Sequence, residues 1–365
     1  MVLIEMQLMI NIYIINVIME ERIFSSKYSK LIYKVNHTNE IPNPEKELLR
    51  KIAIDNINKK YNIKIGDIFL YGYINNLNTQ DPVLCSKIYK VDIENDKKRK
   101  SIIKDIKNYI KEIKTIDNKD FYVVKKLTNK NVELKYKSNI QSIKKKTYNR
   151  LLKQNIIDSD YDIDLIIWCL LYRYKSLGYW GGMFGSIQPD YYKYLKKENN
   201  MEVEGFGSFL NHTLDYYFGL FYDLEKYFGC FGNFYNALFI KGIYLINPPY
   251  IMKHINKSID NCVTNIDKQK VSFLFSLPVW DISTRKKLNN ICDGKKKPTD
   301  FKTEIKISKL RNNKYLKFSY IYCKNDFKYY DYLTERFINY ANTNILFLSN
   351  ELKKYKFDIF PKPSI

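Results

Sequence analysis

From Val203 onward, short apolar segments alternate with helix-like ones, and that alternation confines the chain to a narrow set of architectures. Val203 to Phe206 reads as a strand ending at Gly207-Ser208, and Leu210 to Tyr222 as a helix. Gly242 to Ile246 is a short strand that runs straight into Asn247-Pro248-Pro249, and Ile251 to Val263 has the spacing of a helix. Val271 to Leu277 reads as a buried strand and Asn344 to Leu348 as the last one. Strands separated by helices predict an α/β fold with a mostly parallel sheet and ligands at the carboxyl ends of the strands. Upstream, Ile163, Leu165, Ile166, Ile167, Leu170 and Leu171 form a wide apolar stripe, which predicts a mostly buried helix between Asp162 and Lys175 that ends by Gly178. Gln188-Pro189-Asp190 is a helix start for Tyr191 to Lys197.

A chain of 365 residues makes one large or two medium domains. The expected division is a smaller, basic, helix-rich N-terminal domain over residues 1–155, with an accessory or RNA-guiding role, and a second domain over 156–365. Lys and Arg number 61 against 39 Asp and Glu, a net charge of +22, which favours a polyanionic partner. Codon usage of an AT-rich genome would also raise Lys, Asn, Ile and Tyr, but Glu has not kept pace with Lys. From about Asp96 to Lys153 the Lys- and Ile-rich sequence predicts helices with one basic face, either a solvated face or one that touches nucleic acid. Six cysteines carry no C-x-x-C pair and only three histidines occur, so no metal site is expected. The same cysteine spacing shows no disulfide framework and favours a reduced compartment, cytoplasmic or alternatively nuclear. Leu8 to Met19 is apolar but short and flanked by Glu5, Glu20 and Glu21, which predicts a buried strand or strand pair rather than a membrane span.

The tetrapeptide Asn247-Pro248-Pro249-Tyr250 carries chemistry that a plain turn does not need. An exocyclic adenine amine is a poor nucleophile because its lone pair is delocalised into the ring. Two acceptors, the side-chain carbonyl of Asn247 and the backbone carbonyl of Pro248, can draw that lone pair out towards a methyl donor. Pro248 and Pro249 fix the loop before substrate arrives. Tyr250 offers an aromatic face for an unstacked base. The same four residue types also suit a simple turn. Upstream, Glu204-Gly205-Phe206-Gly207-Ser208 is an acidic, Gly-containing strand-to-helix turn through which a cofactor can approach the backbone.

The segment Glu204-Gly205-Phe206-Gly207-Ser208-Phe209-Leu210-Asn211 resembles the cofactor-binding turn of the phosphorylated-CTD-interacting factor family, the cap-specific adenosine N6-methyltransferases. Phe221, Asp223, Tyr227-Phe228-Gly229 and Gly232 continue the likeness in order, followed by Asn247-Pro248-Pro249 with Tyr250 where the family has Phe. Pro278 and Trp280 match a Pro-x-Trp after a buried strand, and Asn342-Thr343 with Leu346-Phe347-Leu348 match the closing strand. The likeness runs from about Asp162 to Asn350. Phe209 stands where the family has Pro.

The resemblance implies a Rossmann-like class I methyltransferase domain that uses S-adenosyl-L-methionine. It implies methyl transfer to N6 of the first transcribed adenosine, usually 2′-O-methylated, next to a 7-methylguanosine cap. Asn247, Pro248, Pro249 and Tyr250 would be catalytic. Glu204, Gly205, Phe206, Gly207, Ser208 and Asn211 would line the cofactor site, and Asp223 or Glu225 would bond its ribose. Trp280 is the candidate for cap or substrate contact, since an aromatic face holds a cationic base well; a core tryptophan is the other reading. The expected partner is capped mRNA beginning with adenosine, with no membrane and no metal. No WW-type module is evident, so binding to the polymerase tail is not expected. The tetrapeptide also serves enzymes that methylate internal RNA or DNA adenine, cytosine N4 and protein glutamine. A catalytically silent RNA-binding subunit is the alternative outside enzymes.

Overall fold

The computed structural model describes residues 42–62, 96–117, 120–154, 162–178, 184–237, 239–268, 270–281 and 305–361. The strand expected within residues 8–19 lies outside them.

Helix α1 (Pro44–Tyr61) starts at Asn43, whose side chain accepts from the amides of Glu45 and Lys46, and stops at Asn62 in the left-handed conformation. Helix α2 (Asp96–Lys114) follows. Within the stretch where helices with one basic face are expected, the chain then forms an antiparallel meander, β1 (Val124–Leu127), β2 (Asn131–Tyr136) and β3 (Asn139–Lys144), before α3 (Lys145–Gln154). The cause is a period of two within the lysines: Val132, Leu134 and Tyr136 turn inward while Asn131, Glu133 and Lys135 do not.

Helix α4 (Ile163–Ser176), capped by Asp162, is buried along most of its length as its stripe predicts. Strand β4 (Gly185–Ile187) and α5 (Pro189–Asn199) lead into the main sheet. That sheet has six strands in the order β6 (Tyr216–Tyr217), β5 (Val203–Glu204), β7 (Gly242–Ile246), β8 (Val271–Pro278), β12 (Thr343–Ser349) and β9 (Leu316–Tyr322). The first four are parallel, and β12 runs antiparallel to both β8 and β9. Five strands therefore share one direction, in agreement with the α/β, mostly parallel expectation. A three-stranded sheet joins β4 to β10 (Tyr329–Asp331) and β11 (Arg336–Ile338).

Helix α7 (Met252–Ile266) connects β7 to β8, and Tyr244 and Ile246 of β7 join its core together with Ile255, Ile259 and Cys262. Ile243 and Leu245 face the other way, towards Tyr191, Tyr192 and Leu195 of α5. All eight residues of β8 are buried, as befits a strand covered on both faces. A third cluster unites α1, α2 and α4 with Phe209, Leu210, Tyr217 and Phe221, so the N-terminal elements share a core with the turn that follows β5.

The helix expected from Leu210 to Tyr222 does not form. Asn211 and His212 close a single turn on the Ser208 carbonyl at 3.2 and 3.0 Å, and the amides of Thr213 and Leu214 bond the Glu204 carboxylate instead of continuing upward. The chain then straightens into β6, and a short α6 (Tyr222–Glu225) comes only afterwards.

Candidate functional site

Two strand ends define the site. The chain winds from β5 to β6 on one side, then returns to β7 on the other, so the carboxyl ends of β5 and β7 flank the topological switch point, the place where such sheets hold ligands. Val203 and Glu204 pair with Tyr244 and Leu245, and the Gly205 amide donates to the Leu245 carbonyl at 2.7 Å. The Gly205–Ser208 turn consequently begins level with Ile246 and Asn247.

Asn247 leaves β7 half-buried. Its Nδ2 donates to Ser186 Oγ at 3.1 Å, while Oδ1 is closed off from solvent and has no hydrogen-bond partner. Buried acceptors are almost always paired, so Oδ1 keeps its capacity to accept from a donor outside the described side chains. Pro248 and Pro249 carry the chain to α7, with the Ile251 amide donating to the Pro249 carbonyl at 2.6 Å. Tyr250 donates its hydroxyl to Tyr329 Oη at 2.6 Å, and Tyr329 in turn meets Ser276 and Thr343, each at 3.0 Å. Burial pushes the Tyr250 phenol far above its usual range. Trp280, Tyr329 and Tyr340 stand edge-on to Tyr250 with ring centres 5.9, 6.2 and 5.6 Å away. Trp280 is thus a direct neighbour of the motif, half-buried at the end of β8.

The residues expected around the cofactor divide into two groups. Gly205, Phe206, Gly207, Ser208 and Asn211 form the turn itself. Ser208 donates through both its amide and Oγ to Asn211 Oδ1, at 2.7 and 2.8 Å, and the Phe206 ring lies half-buried against Phe234, 4.5 Å between centres. A Cβ on Gly205 would lie 2.7 Å from Ile246 Cδ1 and 3.1 Å from the Leu245 carbonyl oxygen. Gly205→Ala is therefore expected to cost about 1–3 kcal/mol and to spread β5 from β7; an unchanged urea midpoint would refute this packing.

The three acids form the second group, and their carboxylates face inward. Glu204 accepts from the amides of Thr213 and Leu214 and from Tyr192 Oη at 2.8 Å. Glu225 accepts from the amides of Phe209 and Phe221, at 2.9 and 3.0 Å, and from Tyr174 Oη. Burial raises both carboxyls to about 7 against the pull of these donors. Both oxygens of Asp223 meet Arg173 Nη1, at 2.8 and 2.7 Å. All three acids brace the turn from behind.

Sequence reasoning missed Ser186, Tyr192, Tyr329, Tyr340 and Arg150. Arg150, half-buried on α3, donates to the carbonyls of Phe209, Leu210 and His212 and so clamps the turn from the N-terminal side. None of these five lies within a motif, and spacing alone does not reveal them. Cys169, Cys230 and Cys262 are free and buried, whereas Cys323 is disulfide-bonded, which departs from the expectation of unpaired cysteines. Among the described residues, no helix is long and apolar enough to cross a membrane.

A family model described as the phosphorylated CTD interacting factor 1 WW domain matches residues 145–316, from the start of α3 to the first residue of β9. A comparison with curated proteins gives no match. The family match corrects one expectation: the reading that no WW-type module is present, and that polymerase-tail binding lacks support, is overturned because the matching description is that of a WW domain in a factor interacting with the phosphorylated CTD. That match places residues 145–316 in the phosphorylated CTD interacting factor 1 family.

Proposed function

We propose that the chain is an S-adenosyl-L-methionine-dependent adenosine N6-methyltransferase acting on capped RNA that begins with adenosine. The observation that carries this reading is Asn247 Oδ1, an unpartnered buried acceptor at the carboxyl end of β7, beside a glycine turn at the switch point of the sheet. Family membership supports it at the coarser level of cap-specific adenosine methyltransferases.

The site has what a methyl donor and an aromatic amine require. The Gly205–Ser208 turn, with Phe206 at its mouth and Asn211 pinning Ser208, would hold the cofactor against the ends of β5 and β7. Glu204 and Glu225 serve that turn by holding its backbone, and Asp223 serves it through Arg173. The cofactor supplies an electrophilic methyl group. Asn247 Oδ1 and the Pro248 carbonyl would accept hydrogen bonds from the two N6–H groups, which concentrates the lone pair on nitrogen, and one of the two N6 protons leaves to water once the N6–methyl bond has formed. Because Pro248 and Pro249 fix the loop, little reorganisation accompanies the reaction. Tyr250, held by its hydroxyl bond to Tyr329 and by the edges of Trp280 and Tyr340, sets the plane of the base. Trp280 stands where a cap or flanking nucleotide would reach the motif.

The excess of basic residues supplies RNA affinity, which should fall steeply with salt, with a log–log slope of about −0.7 per phosphate contacted on a single strand. The substrate test uses labelled cofactor and four oligonucleotides, capped or uncapped and beginning with A or G. Transfer to the capped A-starting RNA alone is expected. Equal transfer to the uncapped A-starting RNA would overturn cap specificity while leaving adenine methylation in place.

A further inference from the structure

We infer that Ser186 and Tyr192 are positioning residues: with Glu204 they form a one-way hydrogen-bond relay that locks the side-chain amide of Asn247 with its oxygen towards the substrate. This rests on the reading of Asn247 as the acceptor of the substrate amine.

The direction follows from counting protons. Glu204 Oε1 is occupied by the amides of Thr213 and Leu214, and Oε2 receives the single hydroxyl proton of Tyr192 at 2.8 Å. Tyr192 Oη can then only accept from its other neighbour, Ser186 Oγ, at 2.5 Å. The one proton of Ser186 is spent on that bond, so towards Asn247 it presents lone pairs alone. The group it meets at 3.1 Å must be Nδ2, and Oδ1 is left pointing away as the unpartnered acceptor. Ser186, Tyr192 and Glu204 are all buried, so water does not scramble the order. Without the relay, a serine hydroxyl can donate to Oδ1 as readily as accept from Nδ2, and the amide can turn its donor towards an amine that already carries donors. The relay also ties the cofactor turn to the catalytic loop, because Glu204 organises one and, through two hydroxyls, the other.

The test compares Ser186→Ala, Ser186→Thr, Tyr192→Phe, the Ser186→Ala/Tyr192→Phe double variant and Asn247→Ala at pH 8.5, where Glu204 is ionised. Ser186→Ala is expected to lower kcat by about 10- to 100-fold, with KM for RNA and calorimetric cofactor affinity unchanged, because only the orientation of the acceptor is lost. Ser186→Thr keeps the hydroxyl and should restore kcat. Tyr192→Phe frees the serine proton to pair with Oδ1, so it should fall at least as far, and the double variant should be no worse than Tyr192→Phe alone. A wild-type kcat in both Ser186→Ala and Tyr192→Phe, with Asn247→Ala inactive, would overturn the relay and leave the acceptor reading standing. Multiplying losses, or losses carried by cofactor affinity, would make the residues merely structural and overturn it as well. Full turnover in Asn247→Ala would instead remove the acceptor reading, and the relay with it.

Discussion

Asn247→Ala is expected to cut methyl transfer by about 10²–10³-fold, the loss typical of removing one preorganised hydrogen-bonding group from a transition state. Cofactor affinity should stay near wild type, because Asn247 bonds Ser186 and none of the turn residues that would hold the cofactor. The variant should also fold: removing the side chain abolishes an unpartnered acceptor and leaves only Ser186 Oγ short of one donor. Loss of kcat at constant cofactor affinity is the signature of a group that acts in the transition state. Single-turnover rates together with calorimetry of the same preparation check both halves. Retained turnover would refute the assignment.

The second large effect is on stability. Arg173 lies fully buried between Glu47 of α1 and Asp223 of α6, and its guanidinium packs 5.2 Å from the Phe221 ring. Glu47 also takes Arg50 Nη1 at 2.6 Å. Arg173→Ala strands the buried Asp223 carboxylate and leaves Glu47 with Arg50 alone, and breaking such a network from one side costs about 3–5 kcal/mol. The damage should spread to the turn after β5, since α6 carries Glu225, whose carboxylate holds the Phe209 amide. A fall in the urea midpoint at constant slope would report it. Asp223→Asn separates this structural role from ribose binding: it should lower the midpoint, with cofactor affinity falling only as far as the turn loosens. A full loss of cofactor binding in a variant of wild-type stability would return Asp223 to the cofactor.

The elements read correctly from sequence are those whose pattern is set by burial. Gly242 to Ile246 is the observed strand, and β8 and β12 extend their predicted runs by a residue or so at their ends. Strands covered on both faces read as continuous apolar runs, and α4 and α7 show their stripes for the same reason. The predicted helix after Ser208 failed because a buried carboxylate took two amides that a helix would have used, and nothing in the local pattern of 210–222 records where Glu204 points. The β1–β3 meander was hidden because lysine dominates the composition while only Val132, Leu134 and Tyr136 carry the alternation.

The candidate site was legible in the same uneven way. Asn247, the prolines, Tyr250 and the glycine turn are contiguous and carry their chemistry in residue type, and Trp280 does lie beside them. The acids were legible as acids but not as internally satisfied ones, because their donors are backbone amides and a distant arginine. Ser186 and Tyr192 reach the site from β4 and α5, outside the motif, and only the fold brings them there. The absence of a WW-type module was inferred from lack of a visible compact motif, whereas the family match spreads over residues 145–316.

The most direct measurement is nucleoside mass analysis of capped, adenosine-starting RNA after incubation with the protein and methyl-deuterated S-adenosyl-L-methionine. The deuterated methyl should appear on N6 of the first adenosine, and be lost with Asn247→Ala. A label on any other atom, or one undiminished by that substitution, would contradict the account.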